Sequence, residues 1–162
     1  MTVAPRAGGW LIALSFLAAF LLGGIPWPGG LERFRPDWVA MVLIYWAMAL
    51  PHRVGIGVGW LVGLLLDVGR GALLGQHALA FAAVAYLTSE TYLRLRAAPV
   101  WQQTFSILMF LLVKQILVFW ISGVIGYPPK DWWYLAPALG GMACWPLLFI
   151  VMRDARRYFE VN

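Results

Sequence analysis

Residues 53–79 read RVGIGVGWLVGLLLDVGRGALLGQHAL. The stretch opens apolar and glycine-rich, carries one acid at Asp67, breaks at Gly69-Arg70-Gly71 and restarts through Gly75, Gln76 and His77. Glycines stand at 55, 59 and 63, and Asp67 continues that spacing of four. Residues four apart on a helix share one face. The spacing therefore predicts a groove of small residues that ends in a carboxylate. In a membrane such a groove lets another helix backbone approach closely, and an acid at its end needs a partner or a task. Gly55, Gly59 and Gly63 serve either packing inside this chain or the grip on another protein.

The rest of the chain matches that membrane setting. Of 162 residues, 62% are hydrophobic and 12% charged, against roughly 25% charged in a soluble domain. A water-soluble core of this size could not hide so much apolar surface. The class is an all-α polytopic membrane protein, one integral membrane domain over residues 1–162. A formal charge of +5 could point to nucleic acid, but the bases sit in short loops between apolar spans and read as orientation signals; no nucleic acid is expected. Cys144 has no second cysteine to pair with, and His52 and His77 stand far apart. No zinc spacing, phosphate loop or G-x-S-x-G element is present. No cofactor, metal or catalytic residue is expected.

Six apolar spans follow from the breaks, at about 10–25, 38–50, 54–68, 72–93, 101–125 and 132–151. A single arginine, Arg6, and the lack of a small-x-small site before GGIPWPGG argue that the first span is not a cleaved signal. Pro26 and Pro28 end it. Pro36 is expected in the first turn of the second helix, where its missing N–H costs nothing, and Asp37 suits the positive end of that helix. The second and third spans are short for a crossing of about 20 residues; with Pro51-His52-Arg53 between them they read as a helical hairpin. Pro137 and Pro146 are expected to kink the last span.

Six spans put both termini on one side. That side holds Arg6, Arg53, Arg94, Arg96, Arg153, Arg156 and Arg157; the other holds Arg33, Arg35, Arg70 and Lys130, offset by acids. The first side is expected to be cytoplasmic. Tryptophans at 10, 38, 101, 132 and 133 stand near span ends, as interfacial anchors do.

Lys114, inside the fifth span, is the other costly residue. It lies thirteen residues past Trp101, and Asp67 lies thirteen past Val54, so each stands about 20 Å up its helix. Equal depth makes an Asp67–Lys114 pair possible; Arg70, three residues on, is the rival partner. Alternatively Lys114 snorkels and Asp67 bonds backbone N–H groups at the Gly69–Gly71 break. A proton relay through the two would want more ionisable groups than the spans hold. Gln76 and His77 could line a small cavity, or His77 could be a satisfied interfacial side chain. Arg94 and Arg96 are most simply orientation signals.

Residues 35–87 resemble the family of the rod shape-determining protein MreD. The resemblance rests on R-P-D-W (Arg35 to Trp38), Tyr45-Trp46, P-H-R-x-G (Pro51 to Gly55), G-L-L-x-D (Gly63 to Asp67) and L-G-Q-H-A-L (Leu74 to Leu79), with W-Q-Q at Trp101 to Gln103. It implies a component of the bacterial inner membrane that partners MreC, a single-span protein, and ties the MreB filament to the wall synthases. It also implies a six-helix bundle similar to the substrate-binding subunits of energy-coupling-factor transporters. The family pattern supplies no catalytic residues. Arg35, Pro36, Asp37, Arg53, Gly55, Gly59, Gly63, Asp67, Arg70, Gly75, Gln76, His77 and Lys114 are therefore candidate interface or structural positions. Two functions remain: an assembly partner without chemistry of its own, and a small-solute-binding subunit of a transporter. The second needs convergent polar groups, and Gln76, His77, Lys114 and Gln115 make a thin inventory.

Overall fold

A computed structural model describes residues 8–161; Arg6 and Asn162 lie outside the described residues. Six α-helices account for most of it: α1 Gly9–Gly24, α2 Trp38–Ala49, α3 Ile56–Arg70, α4 Gln76–Ala97, α5 Val100–Ile125 and α6 Ala136–Tyr158. Short 3-10 turns at Gly29–Phe34 and Trp132–Leu135 lead into α2 and α6. No strand occurs among the described residues.

The helices fall where apolar runs are interrupted by glycine, proline and charge. Gly71 (φ 64°) and Gly75 (φ 102°) both take the left-handed conformation, which glycine alone adopts cheaply. That pair delays α4 to Gln76, four residues later than the expected span. Pro36 is not in the first turn of α2: Asp37 is the N-cap, accepting the Ala40 N–H at 3.1 Å, and Pro36 precedes it. Pro137 does not kink α6. It occupies the first turn, whose N–H groups lack intrahelical partners in any case, while Pro146 lies within a helix that continues to Tyr158. The expected polar tail is thus helical as far as Tyr158, with Arg156 and Arg157 in the last turn, where cations meet the negative end of the dipole.

α2 is the centre. Every residue from Val39 to Ala49 is buried, and the helix touches α1, α4, α5 and α6. A helix that is apolar all round belongs in a core. At twelve residues it is only about 18 Å long. One polar tie holds α1 to it: the Trp46 indole N–H donates to the Ser15 hydroxyl at 2.8 Å, and Ser15 donates to the Ile12 carbonyl at 2.7 Å. At its far end the Arg96 guanidinium donates to the Ala49 carbonyl and lies over the Tyr92 ring. Arg96 therefore closes the C-terminus of α2, a structural task besides any role in orientation.

The outer helices turn apolar side chains outward, among them Leu14, Leu17 and Leu21 of α1 and Phe105, Met109 and Trp120 of α5. The segments Val100–Ile125 and Trp132–Tyr158 are long and apolar enough to cross a membrane. The start of α1 meets the end of α6: the Trp10 and Phe159 rings stack edge to face at 4.9 Å, and Val161 lies on Gly8.

Candidate functional site: two buried acids and a charged cavity

α3 and α4 form a close antiparallel pair. A Cβ placed on Gly59 would lie 2.8 Å from the Phe81 carbonyl oxygen and 3.0 Å from the Ala85 Cβ. One on Gly63 would fall onto the backbone of His77 and Ala78. The small-residue groove thus faces α4 of the same chain, and lets the two backbones nearly touch. Gly55 is not part of it. It is the residue before α3, in extended conformation, and a Cβ there would meet nothing closer than the Pro51 carbonyl at 3.7 Å.

The same face ends at Asp67, which is fully buried. Its carboxylate accepts the backbone N–H groups of Gly75 (2.9 Å), His77 (3.0 Å) and Ala78 (3.4 Å), and lies 2.7 Å from His77 Nδ1. These are the orphan donors at the start of α4. The residue before α4 is Gly75, which has no side chain to cap with. Asp67 therefore caps α4 from the neighbouring helix, with the charge at the positive end of the dipole. The Arg70 guanidinium lies 3.5 Å from His77 Nε2. Arginine only donates, so Nε2 accepts and the His77 proton sits on Nδ1, donated to Asp67.

The expected Asp67–Lys114 pair does not form, and Arg70 reaches His77 rather than Asp67. Nor do the backbone partners of Asp67 lie at the Gly69–Gly71 break; they lie one turn of chain later, at residues 75–78. The depth argument fails for a reason of azimuth: α4 packs between α3 and α5, so His77 of α4 meets the acid first. Lys114 pairs instead with Asp37, Nζ to Oδ2 at 2.5 Å. Lys114 is 4% and Asp37 8% exposed, so Lys114 does not snorkel outward. Because α2 is short, its N-cap lies level with the middle of α5 and not with its end.

Asp37 and Lys114 stand on the wall of a cavity of about 720 Å³. The C-terminal ends of α1 and α3, the loop before α2, the start of α4, the second half of α5 and the turn into α6 line it. Seven of the expected positions gather there: Arg35, Pro36, Asp37, Arg70, Gln76, His77 and Lys114. Gln76 and His77 do line a cavity, and His77 is satisfied as well. Gln76 donates to the Ser122 hydroxyl at 2.7 Å. Gly75, Asp67, Gly59 and Gly63 hold the α3–α4 seam beside the cavity, whereas Arg53 and Gly55 lie at the opposite end of α3, about 20 Å away. In the turn there, the Arg53 N–H donates to the Leu50 carbonyl at 3.0 Å.

The polar inventory is richer than the spans alone suggest. Gln115 lines the cavity as well, and Glu32, Arg33, Ser122 and Tyr134 add to that inventory. The 3-10 turn before α2 brings in Glu32 and Arg33. Glu32 accepts the Trp27 N–H at 2.6 Å and pairs with Arg35 at 3.0 Å, while Arg33 stacks on the Trp133 ring at 4.9 Å. A loop counted as outside the spans thus folds over the bundle. Gln103 was legible only as part of W-Q-Q; it is buried and donates to the Leu95 and Ala98 carbonyls, closing the C-terminus of α4. Among the described residues no three His, Cys, Asp or Glu side chains come together to hold a metal.

The family profile described as rod shape-determining protein MreD matches residues 5–155. A rod shape-determining protein MreD from Haemophilus influenzae is 34% identical over 154 residues, covering 94% of this chain and 95% of that protein. No solved structure matches the chain.

Proposed function

The chain belongs to the MreD family of rod shape-determining proteins, and from that premise we propose that it is a non-enzymatic inner-membrane component of the complex that builds a rod-shaped wall. It crosses the membrane six times with both termini in the cytoplasm. It binds an MreC-like single-span protein and helps couple MreB filaments to the peptidoglycan synthases. The family match over nearly the whole chain carries this reading. Apolar side chains on the outer helices support a lipid-facing surface. The contact of Trp10 with Phe159 supports termini on one side, and the excess of bases at the ends of α4 and α6 supports a cytoplasmic position for them. A six-helix bundle around a cavity is also what likeness to the energy-coupling-factor subunits would entail.

The α3–α4 seam uses Gly59 and Gly63 internally, so the partner helix docks elsewhere, on the apolar faces of the outer helices. The test is co-purification in mild detergent with the MreC-like protein, together with restoration of rod shape in cells lacking the gene. Wild type should retain the partner and restore rods. Gly59→Leu should lose the partner only as it loses thermal stability. Rod-shaped cells without the gene, or no partner retained, would contradict the proposal. The rival reading, a solute-binding transporter subunit, is favoured by the cavity; it requires a solute that is carried across the membrane, which uptake by vesicles containing the protein would reveal.

A further inference from the structure

We propose that the cavity is a binding site for a phosphate-bearing anion with an apolar body, the chemistry of an anionic lipid headgroup. Four bases, Arg33, Arg35, Arg70 and Lys114, line it against two acids, Glu32 and Asp37, an excess of two positive charges that suits a phosphate oxyanion. Some of these charges are committed. Arg35 pairs with Glu32, and one N–H of the Lys114 ammonium serves Asp37. An ammonium has three donors, so Lys114 keeps capacity toward the cavity, and among the described residues Arg70 uses one of its five N–H groups, on His77 Nε2.

Two further donors lack a protein partner. Gln115 lines the cavity at 5% exposure and makes no hydrogen bond among the described residues. Trp38 also lines the cavity, and its indole N–H is buried and unpartnered among the described residues. Buried polar groups in folded proteins are almost always satisfied, so the open indole N–H of Trp38, with the Gln115 amide and the excess positive charge on the same wall, marks the place of an acceptor-rich ligand. The volume, about 720 Å³, far exceeds a bare phosphate. Phe20, Leu66 and Val118 on the same wall give the remainder of the ligand an apolar surface, the usual composition of a small-molecule site. This inference does not depend on the rod-complex reading.

The test uses the full chain, delipidated in neutral detergent. Native mass spectrometry follows binding of phosphatidylglycerol and, as the zwitterionic control, phosphatidylcholine; isothermal titration follows sodium phosphate. Wild type should bind one phosphatidylglycerol in preference to phosphatidylcholine, and added inorganic phosphate should compete with it, which identifies a lipid source. Saturable binding of inorganic phosphate with no lipid preference would support the same site with a free phosphate source. Arg70→Gln and Gln115→Leu, each checked for an unchanged melting temperature, should weaken binding roughly tenfold, the value of about one charge-assisted hydrogen bond. Arg94→Gln, exposed on the last turn of α4, should bind as wild type. Equal binding of both lipids without competition by phosphate, no saturable binding of any probe, or undiminished binding by both cavity variants would overturn the proposal.

Discussion

Asp67 and Asp37 are both buried acids at the start of a helix, and they do different work. Asp67 is sealed: three backbone N–H groups and the His77 ring take its oxygens, it is 0% exposed, and it does not reach the cavity. Asp37 caps its own helix with one oxygen and holds Lys114 with the other, on the wall of a large charged space. The first acid joins two helices whose backbones touch at Gly63. The second joins α2 to α5 where the chain leaves room. A buried charge therefore signals a knot in one place and the edge of a site in the other, and its partners decide which.

The sharpest way to break this contrast is to remove the sealed acid. Asp67→Leu leaves the first N–H groups of α4 and the His77 ring without their acceptor; several buried donors left unsatisfied together should cost about 3–5 kcal/mol, seen as a large fall in thermal midpoint in detergent and in protein level in cells. Because Lys114 is not its partner, the exchange Asp67→Lys with Lys114→Asp should recover nothing. Next comes the seam itself. Gly63→Ala forces a Cβ onto the Ala78 backbone and should cost about 1–3 kcal/mol, measured in the same thermal assay. Asp37→Ala removes the cap and leaves the buried Lys114 ammonium without its partner; a loss of about 1–3 kcal/mol is expected. Gly55→Ala, in open space outside the groove, should stay within about 0.5 kcal/mol of wild type. A cost at Gly55 equal to that at Gly63 would mean that the groove begins one turn earlier than α3 does.

Much of this was legible in the chain. The breaks at Pro26, Pro51, Gly69 to Gly75 and Pro128 separate the helices, and the four-residue spacing from Gly59 to Asp67 marks the face that meets α4. Asp37 was readable as a helix-start residue. What could not be read was rotation about the helix axis. Counted from the span starts, Asp67 and Lys114 match in depth, but only the packing shows that α4 stands between α3 and α5 and offers His77 first. The depth of α2 was hidden too, since a helix of twelve residues can start anywhere along its neighbours. Arg96 and Gln103 looked like an orientation signal and a motif residue because carbonyls at helix ends, which both of them close, leave no mark in a sequence.

The most direct test of the central claim is a pair of double-mutant cycles on thermal unfolding in detergent, Asp67→Asn with His77→Phe and Asp67→Asn with Lys114→Met. The account predicts a coupling of at least about 1 kcal/mol in the first cycle and additivity within about 0.5 kcal/mol in the second, as for residues that share no contact. Additivity in the first cycle, or a strong coupling between Asp67 and Lys114, would contradict it.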